Sequence, residues 1–205
     1  MRTVTILAAA LALASLPAGR AAADDPAPND PAANFVTKLF IDACIPNLGR
    51  PDQVRAWAVA RHLPEIRSQA ALDVFVGSGD SGAAWAVPSE LGQFALSLRG
   101  KTQGCAVWAR AADPTAVRAY FIRIIDGVKR PGIEVSQLSD TSTATPNGQA
   151  RSLAYNVTTP GAQGSFVFML LTAERAGGPF QVSIEAAAAP TPPPGAGTDQ
   201  RSPGL

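Results

Sequence analysis

The chain has 205 residues, with 17 Lys and Arg against 16 Asp and Glu, a formal charge of +1, and 46% hydrophobic residues. So even a balance excludes a protein built to hold nucleic acid or another polyanion by bulk charge. Beyond the first residues no apolar stretch reaches the roughly 20 positions that a membrane-spanning helix needs.

Met1-Arg2, the apolar run Val4–Pro17 and the small residues Ala21-Ala22-Ala23 follow the order of a secretory signal, with cleavage expected after Ala23. Removing Arg2 and Arg20 leaves 15 basic residues against 16 acidic ones, a mature charge near −1. No cysteine follows the signal to carry an acyl anchor, so the mature chain is expected to be soluble and periplasmic or secreted. Residues 24–32, rich in Asp, Pro and Ala, can bury little and read as a flexible leader. The patterned region 33–187 is one domain's worth of chain, able to bury about two-thirds of its unfolded surface around a single core.

From Asn34, the residues Phe35, Val36, Leu39, Phe40 and Ala43 recur at helical spacing, and Cys44 closes that helix on its apolar flank. Ile45–Gly49 breaks it. Pro51-Asp52 opens a second helix through about Leu63, with Val54, Trp57 and Ala58 inward and Pro64 as the stop. Strand-like segments follow at Leu72–Val76, Ala84–Val87, Gln93–Arg99 and Cys105–Arg110, separated by Gly and Pro turns. In the last of them Cys105 and Val107 share a face, which turns the thiol inward to where a helix carrying Cys44 can pack. The chain's two cysteines, in an exported protein, therefore read as one Cys44–Cys105 disulfide.

Asp113-Pro114 starts a third helix of about 16 residues, lined by Val117, Tyr120, Phe121, Ile124, Ile125 and Val128. Strands are expected at Ile133–Leu138, Arg151–Val157, Ser165–Ala173 and Phe180–Ala186. The run Phe166–Leu171 is apolar on both faces, as suits a central strand with a helix on one side and loops, a partner or another layer on the other. The fold class is α+β, an antiparallel sheet packed by helices, and the element order reads as two α-β4 units. Residues 188–205 form a Pro-rich tail expected to be disordered or partly polyproline II.

Chemistry is written less openly. Gly79-Asp80-Ser81-Gly82 matches the string around a serine-protease nucleophile, but the one histidine, His62, precedes Ser81 by 19 residues and the chain is too short for two β-barrels, so a polar turn is expected. The Gly77–Gly82 stretch lacks the following helix and lysine of a phosphate cradle. With one imidazole and cysteines far apart, no metal site and no cofactor are expected. Glu134, Glu174 and Glu185 fall where alternation turns them to solvent. Arg118, Arg123, Lys129 and Arg130 are expected on a solvated helix face. Asn156-Val157-Thr158 has the form of a glycosylation sequon but falls at a strand end. Trp85 and Trp108 lie on strands, Trp108 on the face opposite Cys105. They are the candidate binding surface, against core packing as the plainer reading.

Phe40-x-x-x-Cys44-x-Pro46-Asn47, Trp85, Phe94-x-Leu96 and Gly104-Cys105-x-Val107 together resemble a family of small secreted or lipid-anchored proteobacterial proteins. The resemblance covers residues 33–125 and implies an envelope protein with a paired-cysteine domain and no assigned activity. The missing lipid-attachment cysteine departs from that pattern. The expected function is a non-enzymatic periplasmic or secreted module that binds an envelope protein or small ligand through one face of its sheet. Two alternatives stay open: a small envelope hydrolase with His62 as base, and a structural accessory of an envelope assembly.

Overall fold

A computed structural model describes residues 29–146, 148–159 and 164–189. The signal at 1–23, the leader up to residue 28 and the tail from residue 190 lie outside the described residues. The first helix, α1 (Pro31–Ala43), begins earlier than the apolar pattern suggested. Asp30 accepts a hydrogen bond from the Ala33 amide at 2.6 Å, and Pro31 occupies the first turn, where its missing N–H is no loss. The end of the expected leader is thus a helix cap. Helix α2 (Pro51–Ala60) follows a single 3₁₀ turn over Ile45–Asn47.

Residues 72–76, expected as a strand, belong instead to helix α3 (Gln69–Val76). Val74, Phe75 and Val76 gave a β-like signal, but Gln69-Ala70-Ala71 extends the segment upstream with good helix formers. Leu72, Phe75 and Val76 then share one side, the Gln69 side-chain Nε2 donates to Asp73 Oδ1 at 2.6 Å, and Gly77 at φ +89° ends the helix. The first half therefore carries three strands: β1 (Gly82–Val87), β2 (Phe94–Arg99) and β3 (Gly104–Ala109). The second half is α4 (Pro114–Val128), capped by Asp113, then β4 (Glu134–Thr145), β5 (Gly148–Thr158), β6 (Ser165–Ala173) and β7 (Val182–Ala188). In place of two α-β4 units, an α-α-β3 unit (α2, α3, β1–β3) and an α-β4 unit share one sheet.

That sheet is antiparallel and seven-stranded, in the order β1-β2-β3-β7-β6-β5-β4. Two meanders thus meet at their last strands, where Cys105 pairs with Ala186 and Val107 with Ile184. Its inner face presents Trp85, Leu96, Cys105, Val107, Ile184, Phe168, Leu170 and Leu153 to α1, α2 and α4 in one continuous core. Phe40 of α1 meets Phe168 edge-on with ring centroids 6.2 Å apart, and both rings are buried. The Cys44–Cys105 disulfide joins the end of α1 to β3 across a Cα separation of 5.5 Å.

The margins of the sheet differ. Along β1 the segment Pro64–Ile66 lies alongside: the Ala86 amide donates to the Pro64 carbonyl at 2.9 Å and the Ile66 amide to the Ala84 carbonyl at 2.8 Å. On the other side β4 is long and polar, and its register with β5 shifts between Gln137 and Ser139, leaving Leu138 as an exposed bulge residue. Asp140 of β4 is held by Arg118 of α4 at 2.7 Å and by Arg151 of β5 at 3.6 Å. No helix among the described residues is long and apolar enough to cross a membrane.

Candidate functional site

The face of the sheet turned away from the main core is built differently in its two halves. Alternation places Ala84 and Ala86 of β1, Ala95 and Ser97 of β2, and Ala106 and Trp108 of β3 on this outer face. Small side chains leave a depression there, and one indole fills part of it. Helix α3 lays Phe75 on one side of Trp108, ring centroids 5.6 Å apart, and the turn before β7 brings Phe180 onto the other side at 4.3 Å. The Trp108 indole N–H donates to Ser97 Oγ at 2.8 Å, so the polar end of the buried ring is satisfied.

Phe180 is positioned by its neighbour. The Gln181 amide N–H donates to the Ala109 carbonyl at 2.9 Å, tying the turn to the end of β3. Its side-chain oxygen accepts from the Ala112 amide at 3.1 Å, and its side-chain nitrogen donates to the carbonyls of Ala173 and Glu174. A buried glutamine with its amide fully engaged makes this turn a fixed wall.

Between these elements lies a cavity of about 570 Å³, with Phe75, Trp108 and Phe180 as its aromatic walls, Ala86 and Ala95 on its floor, and Gln93 and Arg110 at its rim. Among the described residues Arg110 is the one charged residue lining it, and its guanidinium donates to Gln93 Oε1 at 3.3 Å. A second cavity of about 290 Å³ adjoins on the far side of Phe180, bounded by Thr141, Thr143 and Leu171. It lies on the β4–β6 half of the outer face, where Val167, Met169 and Leu171 are half-buried and no helix among the described residues covers them.

The two tryptophans proposed from sequence do not form one exposed surface. Each is only 3% exposed, and they lie on opposite faces. Trp85 belongs to the main core under the Arg55 guanidinium, while Trp108 lines the outer cavity as a wall and not as a protruding anchor. Alternation identified the face of Trp108 correctly. It carried no sign of Phe75 and Phe180, which close over the ring from distant parts of the chain.

Other expected site residues disperse. His62 is exposed in the turn closing α2, at φ +53°, and its side chain forms no hydrogen bond or ion pair among the described residues. Gly79-Asp80-Ser81 forms a turn docked on the β2–β3 hairpin, where Asp80 accepts from the Lys101 amide at 3.1 Å, and Gly82 already opens β1. Glu134 lies at the start of β4, whereas Glu174 accepts from the Gln149 amide at 2.9 Å, so the two sit at opposite ends of the β4–β5 hairpin. Among the described residues no group of three or more His, Cys, Asp and Glu is placed to hold a metal ion. The basic residues of α4 are engaged separately: Arg118 with Asp140, Arg123 over the Tyr120 ring, and Lys129 with Asp126, whose carboxylate raises the lysine's pKa.

Glu185, expected in solvent, is buried on the outer face of β7, 3.4 Å from the Arg99 guanidinium. The alternation was right and the exposure was not, because Ala106 of β3, Met169 of β6 and Arg99 close around the carboxylate. Gly104 leaves the space it needs: a Cβ there would stand 2.7 Å from Glu185 Oε1. Loss of hydration raises the Glu185 pKa, and the Arg99 charge only partly opposes the rise. A raised carboxyl pKa contributes stability that is full below the unfolded value of about 4.3 and is lost as pH climbs through the folded value. Thermal midpoints of the wild type and Glu185→Gln should therefore diverge in the wild type's favour as pH falls from 7 to about 4. A constant difference across that range would show the carboxyl is not desolvated.

The fold and the cavity together define an antiparallel α+β domain, cross-linked by one disulfide, with an aromatic pocket on the outer face of its sheet. Comparison with protein-family models, with curated proteins and with solved structures gave no match. What the domain does must be argued from the pocket.

Proposed function

We propose that this protein is an exported, non-enzymatic binding module that takes a small ligand into the pocket between α3, β1–β3 and the Phe180 turn. The observation that carries the reading is the pocket itself. A concave, mostly apolar site of about 570 Å³ with a few convergent polar groups has the size and lining of a small-molecule site. Gln181 and the α3 packing hold its walls in place without a ligand, which lowers the ordering cost of binding. Among the described residues Ser89 is the one hydroxyl-bearing side chain lining it, and no histidine or carboxylate does, so the lining favours binding over acid–base chemistry. The disulfide and the lack of a membrane-spanning helix among the described residues are compatible with export.

Ala86 offers the test, because it is exposed on β1, lines the pocket, and can carry a large side chain without disturbing the core. In a thermal-shift screen of small molecules, a true ligand at 100 times its Kd stabilises by about 2.7 kcal/mol and raises the midpoint by several degrees. Such hits should disappear in Ala86→Trp, whose indole occupies the site. Hits that stabilise both proteins equally would place binding elsewhere and end this reading.

A further inference from the structure

Resting on that reading, we infer that the pocket's ligand is an organic anion with a flat apolar body, its charged group at Arg110 and its ring system among Phe75, Trp108 and Phe180. The lining separates into two chemistries. The rings of Phe75, Trp108 and Phe180, with Phe94 and two prolines, Pro88 and Pro179, line a slot that is mostly apolar. Trp108 already packs obliquely against Phe75 and Phe180, at interplanar angles of 71° and 63°. A further planar ring extends that edge-to-face arrangement, the geometry aromatic groups prefer. Sugars and peptides need many hydrogen-bonding groups, and the side chains here supply few besides Ser89, Gln93 and Arg110.

Charge then sets the sign. Arg110 is the single charged residue of the lining and forms no ion pair with an Asp or Glu among the described residues. Among the described residues its guanidinium makes one hydrogen bond, to Gln93 Oε1 at 3.3 Å, which is long and uses one of five N–H donors. A guanidinium at the mouth of an apolar slot repels cations and leaves a forked donor pair for a carboxylate or similar oxyanion. Gln93 accepts from the same guanidinium through Oε1, which leaves its side-chain N–H₂ without a hydrogen-bond partner among the described residues. An uncharged aromatic would gain the slot and forgo the rim.

The test uses two probes of nearly the same shape, 2-naphthoate and 2-naphthamide, titrated calorimetrically into the oxidised protein. 2-Naphthoate should bind at least about tenfold more tightly than the amide, the span expected of a hydrogen bond to a charged group. Arg110→Gln should erase that preference by bringing 2-naphthoate down to the affinity of the amide for the same variant, and Ala86→Trp should abolish both. Equal binding of the two probes, or a preference that survives Arg110→Gln, would overturn the anion assignment; if Ala86→Trp still abolished binding, the pocket reading would stand. Absence of binding by both probes would overturn the anion assignment and leave the pocket reading to the thermal-shift screen, whereas binding of both unaffected by Ala86→Trp would overturn the two together.

Discussion

Replacing both bridge cysteines, Cys44→Ala with Cys105→Ala, is expected to lower the unfolding free energy by about 4 kcal/mol, the chain-entropy value for closing a loop of this length. The two residues are 61 apart in sequence, so the reduced unfolded chain regains the freedom of a long loop. Both are buried against the inner face, and alanine removes the sulfur without introducing a polar atom into that core. Against a typical total of 5–15 kcal/mol the loss is large. Urea unfolding of the oxidised, reduced and double-alanine proteins measures it. The reduced and double-alanine forms should agree to within about 1 kcal/mol, allowing for the small cavities left by sulfur. A midpoint unchanged on reduction would mean that helix packing alone holds α1 on β3.

Phe168→Ala should destabilise by about 3–5 kcal/mol, the range for emptying a buried phenylalanine site. Its ring is 1% exposed, meets Phe40 edge-on, and lies where the second meander joins the helical layer. Val167, one residue earlier on the same strand, faces outward and is half-buried, so Val167→Ala should lose about 1 kcal/mol or less. Denaturant midpoints of the two variants, compared at equal slopes, give the contrast. Similar losses at both positions would mean that the outer face of β6 is covered in solution.

Much of this architecture could be read from local signals, and the failures share a cause. Asp113-Pro114 announced α4, since a capping carboxylate and a first-turn proline act on their own helix. Cys105 was placed inward by its neighbours two positions away, and the disulfide followed. The segment 72–76 was misread because β-branched residues in a five-residue window outweighed the helix formers just before it. The leader's end was misread likewise, as its few apolar residues hid the Asp30 cap. The pocket was illegible for another reason. Phe75, Trp108 and Phe180 come from a helix, a strand and a turn in three separate parts of the chain, and only the pairing of β3 with β7 brings the last two together. Periodicity assigns a residue to a face and says nothing of what lies over that face. Glu185 shows the same limit: its side was correct and its surroundings were invisible.

The treatment of the two outermost strands bears on how this molecule meets its own copies. A seven-stranded antiparallel sheet with bare margins would offer rows of unpaired amides and carbonyls on which another molecule's strand could zip, the first step of fibrillar aggregation. Here Pro64–Ile66 occupies the β1 margin, and along β4 a bulge at Leu138 breaks the flat template. They turn the rim of the sheet away from strand pairing and leave its outer face as the surface on which the proposed ligand pocket opens.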